Sequence, residues 1–311
     1  MKVGVLVTGA TPAQIVATIR AADEAGVHCA WMTSGGVSFD PLAIYAAAAT
    51  QTERIHFGSA IVPTFPRHPL ALVQSALVVD GLAPGRLRLG VGPSGAMAIT
   101  PIYGMPFERP QEHLREYVTI LREALSTGGV DFQGKRLSAK AQGVAANGVS
   151  VYSAALRASA FELAGEVSDG AISWVCPPAY LREVALPALK AGAEAAGRAT
   201  PALIGHILVA PTTDREAARA GVRRTLGFFP RIKTYQDMFA DAGFSEARET
   251  GQWSDAMCDA ITISGSDAEI RDGLAALEGF GFDEAMAGLL TSPGDEAALA
   301  QGLELLGSAN S

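Results

Sequence analysis

The stretch from Ile55 to Gly92, IHFGSAIVPTFPRHPLALVQSALVVDGLAPGRLRLGVG, decides the fold. Ile55 to Val62 is a short apolar run with β-branched residues and no strict polar alternation, the pattern of a strand covered on both faces. Pro63 and Pro66 stop it. Pro69 stands near the start of a helix, where a missing N–H is harmless, and Leu70, Leu72, Val73, Ala76, Leu77 and Val79 give that helix a broadly apolar face. Gly81, Pro84 and Gly85 end it, and Arg86 to Val91 reads as a second buried strand. Strand, helix and strand form one parallel βαβ unit.

The same unit recurs on either side. Lys2 to Val7 is a strand, Pro12 to Ala25 a helix ending at Gly26, His28 to Met32 the second strand, and Pro41 to Thr50 its helix. Beyond the central unit come a helix from Gln111 to Leu125, a strand Val149 to Ser153 and a helix Ala158 to Glu166. Ala171 to Val175 is the sixth strand, followed by a long helix after Pro178. Ala202 to Val209 is the seventh, with helical segments from Asp214 onward. Asp283 to Leu290 is the eighth, and Gly294 to Leu306 the closing helix. Eight repeats predict a (β/α)₈ TIM barrel, of class α/β. A length of 311 residues fits one such domain over 1–311, a barrel of ~250 residues plus insertions. The insertions are Pro93 to Pro110, after strand four, and Gly227 to Ser254, after strand seven. Both are expected over the C-terminal mouth, as lid and substrate walls.

A net charge of −8 without a basic block argues against a nucleic-acid surface, which needs clustered Lys and Arg. Cys29, Cys176 and Cys258 are odd in number and widely spaced, so neither a disulfide framework nor a zinc cluster is signalled. The chain enters its first strand directly, without a charged and apolar leader, and no apolar run approaches the ~18 residues of a membrane span. A cytoplasmic setting without membrane partners is the expectation. No G-x-S-x-G elbow, H-E-x-x-H, Walker A or paired-Cys motif is present. Gly90-Val91-Gly92 hints at a dinucleotide loop, but Pro93-Ser94-Gly95 breaks the G-x-G-x-x-G spacing. A barrel with so few acid–base groups generally takes its chemistry from a cofactor.

Taken in order, several runs resemble the luciferase-like monooxygenase superfamily. They are Ala30-Trp31, Gly58-Ser59-Ala60-Ile61-Val62-Pro63, Arg67-His68-Pro69, and Gly85 through Gly92. Phe107-Glu108-Arg109-Pro110, His113 through Tyr117, Leu163-Ala164-Gly165 and Ser168-Asp169-Gly170 continue the match. The likeness covers nearly the whole chain and is strongest to the actinobacterial branch that uses the deazaflavin coenzyme F420. It implies a flavin or deazaflavin at the C-terminal mouth, its ring against strand three. It also implies a non-prolyl cis peptide at Ala60-Ile61, forming a bulge behind that ring. On residues alone, Ile55 to Val62 is equally an ordinary buried strand with small residues at a crowded corner.

The resemblance carries over as cofactor contacts at Thr33, Ser59, Ala60, Ile61, Gly92, Ser94, Ala155, Leu156 and Arg157. Substrate contacts are expected at Tyr103, Trp174, Cys176 and Phe228; no catalytic acid or base is assigned, and no metal. Arg157-Ala158 stands where relatives commonly have Gly-Pro, in a loop that helps hold the cofactor phosphate. Amides at that helix start can still bind phosphate with Arg157 as a charged fork, or Arg157 fills the phosphate position instead. The acid–histidine pair of some deazaflavin enzymes is replaced by Thr33-Ser34-Gly35-Gly36, and a common Ser-His after strand four by Ser94-Gly95. Bland alternatives stand beside each residue. His68 reads as a helix cap, Glu108 and Arg109 as a helix-entry charge pair, Trp174 and Cys176 as apolar rim, and Ser94 as a turn residue.

Three functional readings follow. The first is an F420-dependent oxidoreductase moving a hydride to or from a C=C, C=N or carbinol carbon of a small organic substrate. The second is an FMN-dependent monooxygenase fed with reduced flavin by a separate reductase partner. The third is a cofactor-free barrel: a cyclase or isomerase, a binding protein or a supporting subunit. Family members are often dimers, and the Ala-rich face from Ala43 to Ala49 permits close helix contact, so a homodimer is expected.

Overall fold

Eight parallel strands close on themselves in the computed structural model, which describes residues 1–144, 148–292 and 294–310. The first half contains β1 (Lys2–Leu6), α1 (Pro12–Glu24), β2 (Cys29–Met32), α2 (Pro41–Ala49), β3 (His56–Ser59), β4 (Val62–Pro63), α3 (Pro69–Leu82) and β5 (Leu87–Gly92). Next are α4 (Ala96–Tyr103), α5 (Pro110–Thr127), the antiparallel hairpin β6 (Gly129–Gln133) and β7 (Ser138–Gln142), β8 (Ser150–Ala155), α6 (Ala158–Val167) and β9 (Gly170–Ser173). After it, α7 (Pro178–Tyr180) runs through a π-type turn at Leu181–Ala185 into α8 (Leu186–Ala195). The last part holds β10 (Ala202–Ala210), α9 (Arg215–Leu226), α10 (Lys233–Asp241), α11 (Glu246–Thr250), α12 (Asp255–Ala260), β11 (Thr262–Ser264), α13 (Asp267–Ala276), β12 (Glu284–Leu289) and α14 (Glu296–Ser308). Around the barrel the order is β1-β2-β3-β5-β8-β9-β10-β12, closed by β12 against β1.

The expected barrel is therefore present, with local corrections. The third strand is broken in two around a cis Ala60–Ile61 peptide, and its second piece, β4, pairs with β5 through Val62 and Val91. The sixth strand ends at Ser173, because Val175 takes a left-handed φ of 60° that no strand accommodates. Two elements were not foreseen: the β6–β7 hairpin, and β11, which adds to the C-terminal end of β10 beside Leu208 to Ala210. The second insertion follows α9 rather than a strand, and it is helical.

Short polar side chains set where the elements begin. Thr11 and Gln14 form a capping box at α1, Ser266 and Glu269 another at α13, and Asp40 accepts from the Leu42 amide at 2.7 Å to open α2. Half-buried or buried carboxylates shape turns in the same way. Asp23 accepts from the amides of Glu53, Arg54 and Ile55, fixing the entry to β3, and Glu116 accepts from Lys135, Arg136 and Leu137 at the tip of the hairpin. The main core lies between this ring of helices and the outward faces of the strands.

The lumen is filled from its N-terminal end. Arg88 on β5 pairs with Glu284 on β12 across the barrel floor, and Trp31 Nε1 donates to Glu284 Oε1 at 2.7 Å. His28 Nε2 lies 2.8 Å from the Arg88 guanidinium. Burial pushes the Glu284 carboxyl upward, and burial together with the Arg88 charge lowers His28 to about 3. Above this layer Trp31, Tyr152, Ile172, Ile204 and Met286 pack as a second cluster. Glycines make room for them: a Cβ on Gly58 would lie 2.3 Å from Trp31 Cε3, and one on Gly170 would lie 2.0 Å from Tyr152 Cδ1.

Two measurements check this account. Glu284→Gln leaves Arg88 buried without its counter-charge, so a stability loss of about 3–5 kcal/mol is expected in urea melts; Arg88→Met added to it should recover part of the loss. Strict additivity of the two losses would show the pair is uncoupled. The unfolded chain protonates His28 near 6.5, whereas the folded protein holds it neutral down to about 3. Stability is thus full above pH 6.5 and falls as pH drops toward 3, and His28→Gln should flatten that decline.

Candidate functional site

Side-chain alternation places the lumen's C-terminal rim. Along β10 the inward residues are Ala202, Ile204 and His206; along β9 they are Gly170, Ile172 and then Trp174. By the same count β3 and its continuation contribute Ala60, β5 contributes Gly90 and Gly92, and β12 contributes Met286 and Gly288. The rim is thus small and apolar on the β3–β5 side and aromatic on the β9–β10 side. A Cβ on Gly92 would lie 2.7 Å from Ala154 Cβ and 3.0 Å from Ile61 Cγ1, so this corner tolerates nothing larger than hydrogen.

The residues expected to contact the cofactor lie at or just beyond the C-terminal ends of β2, β3, β5 and β8. Ala60 and Ile61 form the bulge itself. Ser59 stands behind it: its hydroxyl donates to the Gly90 carbonyl at 2.8 Å and accepts from the Gly90 amide at 2.9 Å, so it braces β3 against β5 where the ladder is interrupted. Thr33 follows β2 and is exposed, and Ser94, with a left-handed φ of 60°, opens the loop into α4. Ala155 closes β8, Leu156 accepts from the Tyr180 hydroxyl at 3.1 Å, and Arg157 is the residue before α6.

Arg157 does not stand free. Its guanidinium pairs with Asp241 at 2.8 Å and Asp237 at 3.5 Å, both on α10 of the second insertion. The insertion is thereby tied to the β8 loop, with Arg248 holding the same two aspartates from α11. Phe229, in the same insertion, lies 6.2 Å from Trp174 by ring centroids and packs edge-on against Tyr235. Its neighbour Phe228, which the sequence nominated as a wall, is half exposed at the end of α9. Cys176 is buried, and burial raises its thiol well above the usual range, so it offers an apolar surface and no nucleophile.

The first insertion closes the opposite side. Tyr103 on α4 donates to the Gly36 carbonyl at 2.7 Å, joining α4 to the loop after β2. Phe107 packs against Phe65, which in turn stacks on His113 at 4.2 Å. His68 is the expected cap: its Nδ1 accepts from the Leu70 amide at the start of α3.

One residue at the rim had no sequence signal. His206 is 1% exposed, stacks on Trp174 at 4.1 Å, and has neither ring nitrogen paired among the described residues. Burial lowers it to about 3, so the imidazole is neutral at physiological pH. A lone histidine inside an apolar strand reads as core. Away from the rim, a depression of about 470 Å³ beside α9, β11 and α13 has its prominent charges already paired, Arg215 and Arg219 with Asp259 and Glu269 with Ser266. Among the described residues no cluster of His, Cys, Asp and Glu is arranged to hold a metal, and no helix is long and apolar enough to cross a membrane.

The sequence profile of the family described as luciferase-like monooxygenase matches residues 2–284. An F420-dependent glucose-6-phosphate dehydrogenase of Nakamurella multipartita is 30% identical over 204 residues, covering 62% of this chain and 60% of that one. The match spans about three-fifths of the length of the first such curated relatives. In fold, the chain resembles an F420-dependent secondary alcohol dehydrogenase solved with an F420-acetone adduct, with a TM-score of 0.81 at 17% identity over 98% of this chain and 97% of that one. It also resembles the oxygenating constituent of 3,6-diketocamphane monooxygenase from Pseudomonas putida, solved with FMN, with a TM-score of 0.77 at 17% identity over 100% and 97%.

Removing the tie between insertion and barrel tests its role. Arg157→Ala should change overall stability by no more than about 1 kcal/mol, since the pair is partly exposed, while amide exchange across 233–241 accelerates. Unchanged exchange would mean that α10 is held by its apolar contacts alone.

Proposed function

Because the chain belongs to the luciferase-like monooxygenase family, we propose that it is an oxidoreductase that moves a hydride between coenzyme F420 and a small organic substrate. The observation that carries this reading is the character of the lumen rim. Its inward residues are alanine, glycine, isoleucine, methionine, tryptophan and a neutral histidine, which form a dry surface without an ionised acid or base among them. Such a surface excludes water and orients reactants but performs no acid–base chemistry of its own. The F420 dependence of the curated glucose-6-phosphate dehydrogenase relatives supports the deazaflavin.

The residues present fit such a ring. Ala60 and Gly92 offer a shelf of small residues with the Ile61 side chain packed beside Gly92, Ser59 braces that shelf from behind, and Thr33 and Ser94 flank it. Ala155, Leu156 and the first turn of α6 would take the phosphate-bearing tail, with Ala158 and Ser159 exposed at the helix start. Arg157 contributes there as the residue that positions α10, since its charge is already matched by Asp237 and Asp241. Trp174, Cys176, Tyr103 and Phe229 would wall the substrate side. When bound, the cofactor supplies two-electron hydride chemistry that no side chain offers. The exposed Ala43 and Ala47 on α2 leave that helix open to contact with a second copy, as a homodimer requires.

An FMN-dependent monooxygenase is the second reading, supported by the flavin-bound fold relative. Fluorescence titration of the purified protein with oxidised coenzyme F420 and, separately, FMN discriminates the two. F420 binding without FMN binding is the expected result. The reverse would favour the monooxygenase, and binding of neither by folded protein would remove both.

A further inference from the structure

We propose that His206 is the hydrogen-bonding contact for an uncharged oxygen of the substrate, and that this barrel therefore takes compact neutral carbonyl or carbinol compounds rather than phosphorylated or carboxylated ones. This deepens the F420 reading and depends on it for the reaction, though not for the contact itself.

Three independent observations converge on His206. Its ring is almost fully buried on the lumen face of β10, yet both nitrogens lack a partner among the described residues. Leaving such a group unpaired costs about 1–3 kcal/mol, so a buried histidine of this kind is normally matched by something that enters beside it. Next, no side chain from β12 crowds the ring: a Cβ on Gly288 would fall 3.3 Å from His206 Nε2 and 2.9 Å from Leu208 Cδ2. Finally, the ring is held rigidly, because Trp174 stacks on it at 4.1 Å with 25° between planes. A fixed donor–acceptor left unpaired at the lumen rim is what a specificity contact requires.

Charge complementarity selects the class of ligand. The inward positions at this end of the strands carry no Lys or Arg among the described residues. The lumen's own arginine, Arg88, lies at the far end, neutralised by Glu284. An anionic headgroup would enter without a counter-charge and face only a neutral imidazole, whereas a ketone oxygen accepts from an N–H of that ring and a hydroxyl donates to its other nitrogen form.

The test uses protein loaded with oxidised coenzyme F420, and in parallel protein without it, with cyclohexanone and glucose 6-phosphate as probes. Imidazole ¹H–¹⁵N correlation spectra read His206 directly. Cyclohexanone should shift the His206 nitrogens in the loaded protein, and glucose 6-phosphate should not. His206→Phe should weaken cyclohexanone binding about tenfold, the loss of one hydrogen bond. It should also raise the melting temperature of the free protein, because an unpaired polar group has been removed, and leave F420 affinity within about twofold. His206→Gln should restore most of the ketone affinity. An unshifted His206, equal ketone affinity in His206→Phe, or an equal response to the phosphorylated sugar would overturn the proposal. Failure of F420 to bind, with the ketone still shifting His206 in the unloaded protein, would overturn the F420 reading and leave the contact standing.

Discussion

The Arg88–Glu284 pair, with Trp31 hydrogen-bonded to the same carboxylate, is the constraint on which the rest of the barrel depends. It joins β5, β12 and β2, strands from opposite sides of the closed sheet, inside a lumen otherwise packed with apolar groups. A charge placed there is costly unless matched, so each partner dictates the presence and position of the other. Trp31 then fills the layer above, and its bulk explains the run of glycines facing it: Gly4 and Gly58 each have a missing Cβ that would collide with the indole. The shape of the upper site follows, because a plugged lower lumen leaves only the C-terminal rim for ligands.

Much of this was legible in residues. Apolar runs without alternation marked the buried parallel strands, and Pro69 and Gly26 marked helix ends for local steric reasons that do not require the fold. The hairpin escaped because its strands are short and half exposed, although Val130 and Phe132 against Ala139 and Ala141 do alternate as an antiparallel pair should. Its organiser, Glu116, lies on a preceding helix. β11 escaped for a simpler reason, since three residues carry no usable period.

Of the candidate site, the cis Ala60–Ile61 peptide is found where the resemblance placed it. Arg157 looked like a free charge because its partners, Asp237 and Asp241, are some eighty positions away and are united with it only by the second insertion. His206 was invisible, since its distinguishing property is the absence of a neighbour, which only the folded molecule defines. Phe228 and Phe229 differ in the same way: adjacent residues at a helix end point in different directions, Phe228 half exposed and Phe229 near Trp174, which composition alone does not distinguish.

A barrel stoppered at its base by an ion pair and an indole is a room with one door. In the proposed hydride transfer both reactants would share the C-terminal mouth, and the one against the deeper shelf would enter first and depart last. The two insertions stand on either side of that doorway, one anchored to the loop after β2 through Tyr103 and the other to the loop after β8 through Arg157. Order of arrival in such a chamber is a property of its architecture, imposed before any chemistry begins.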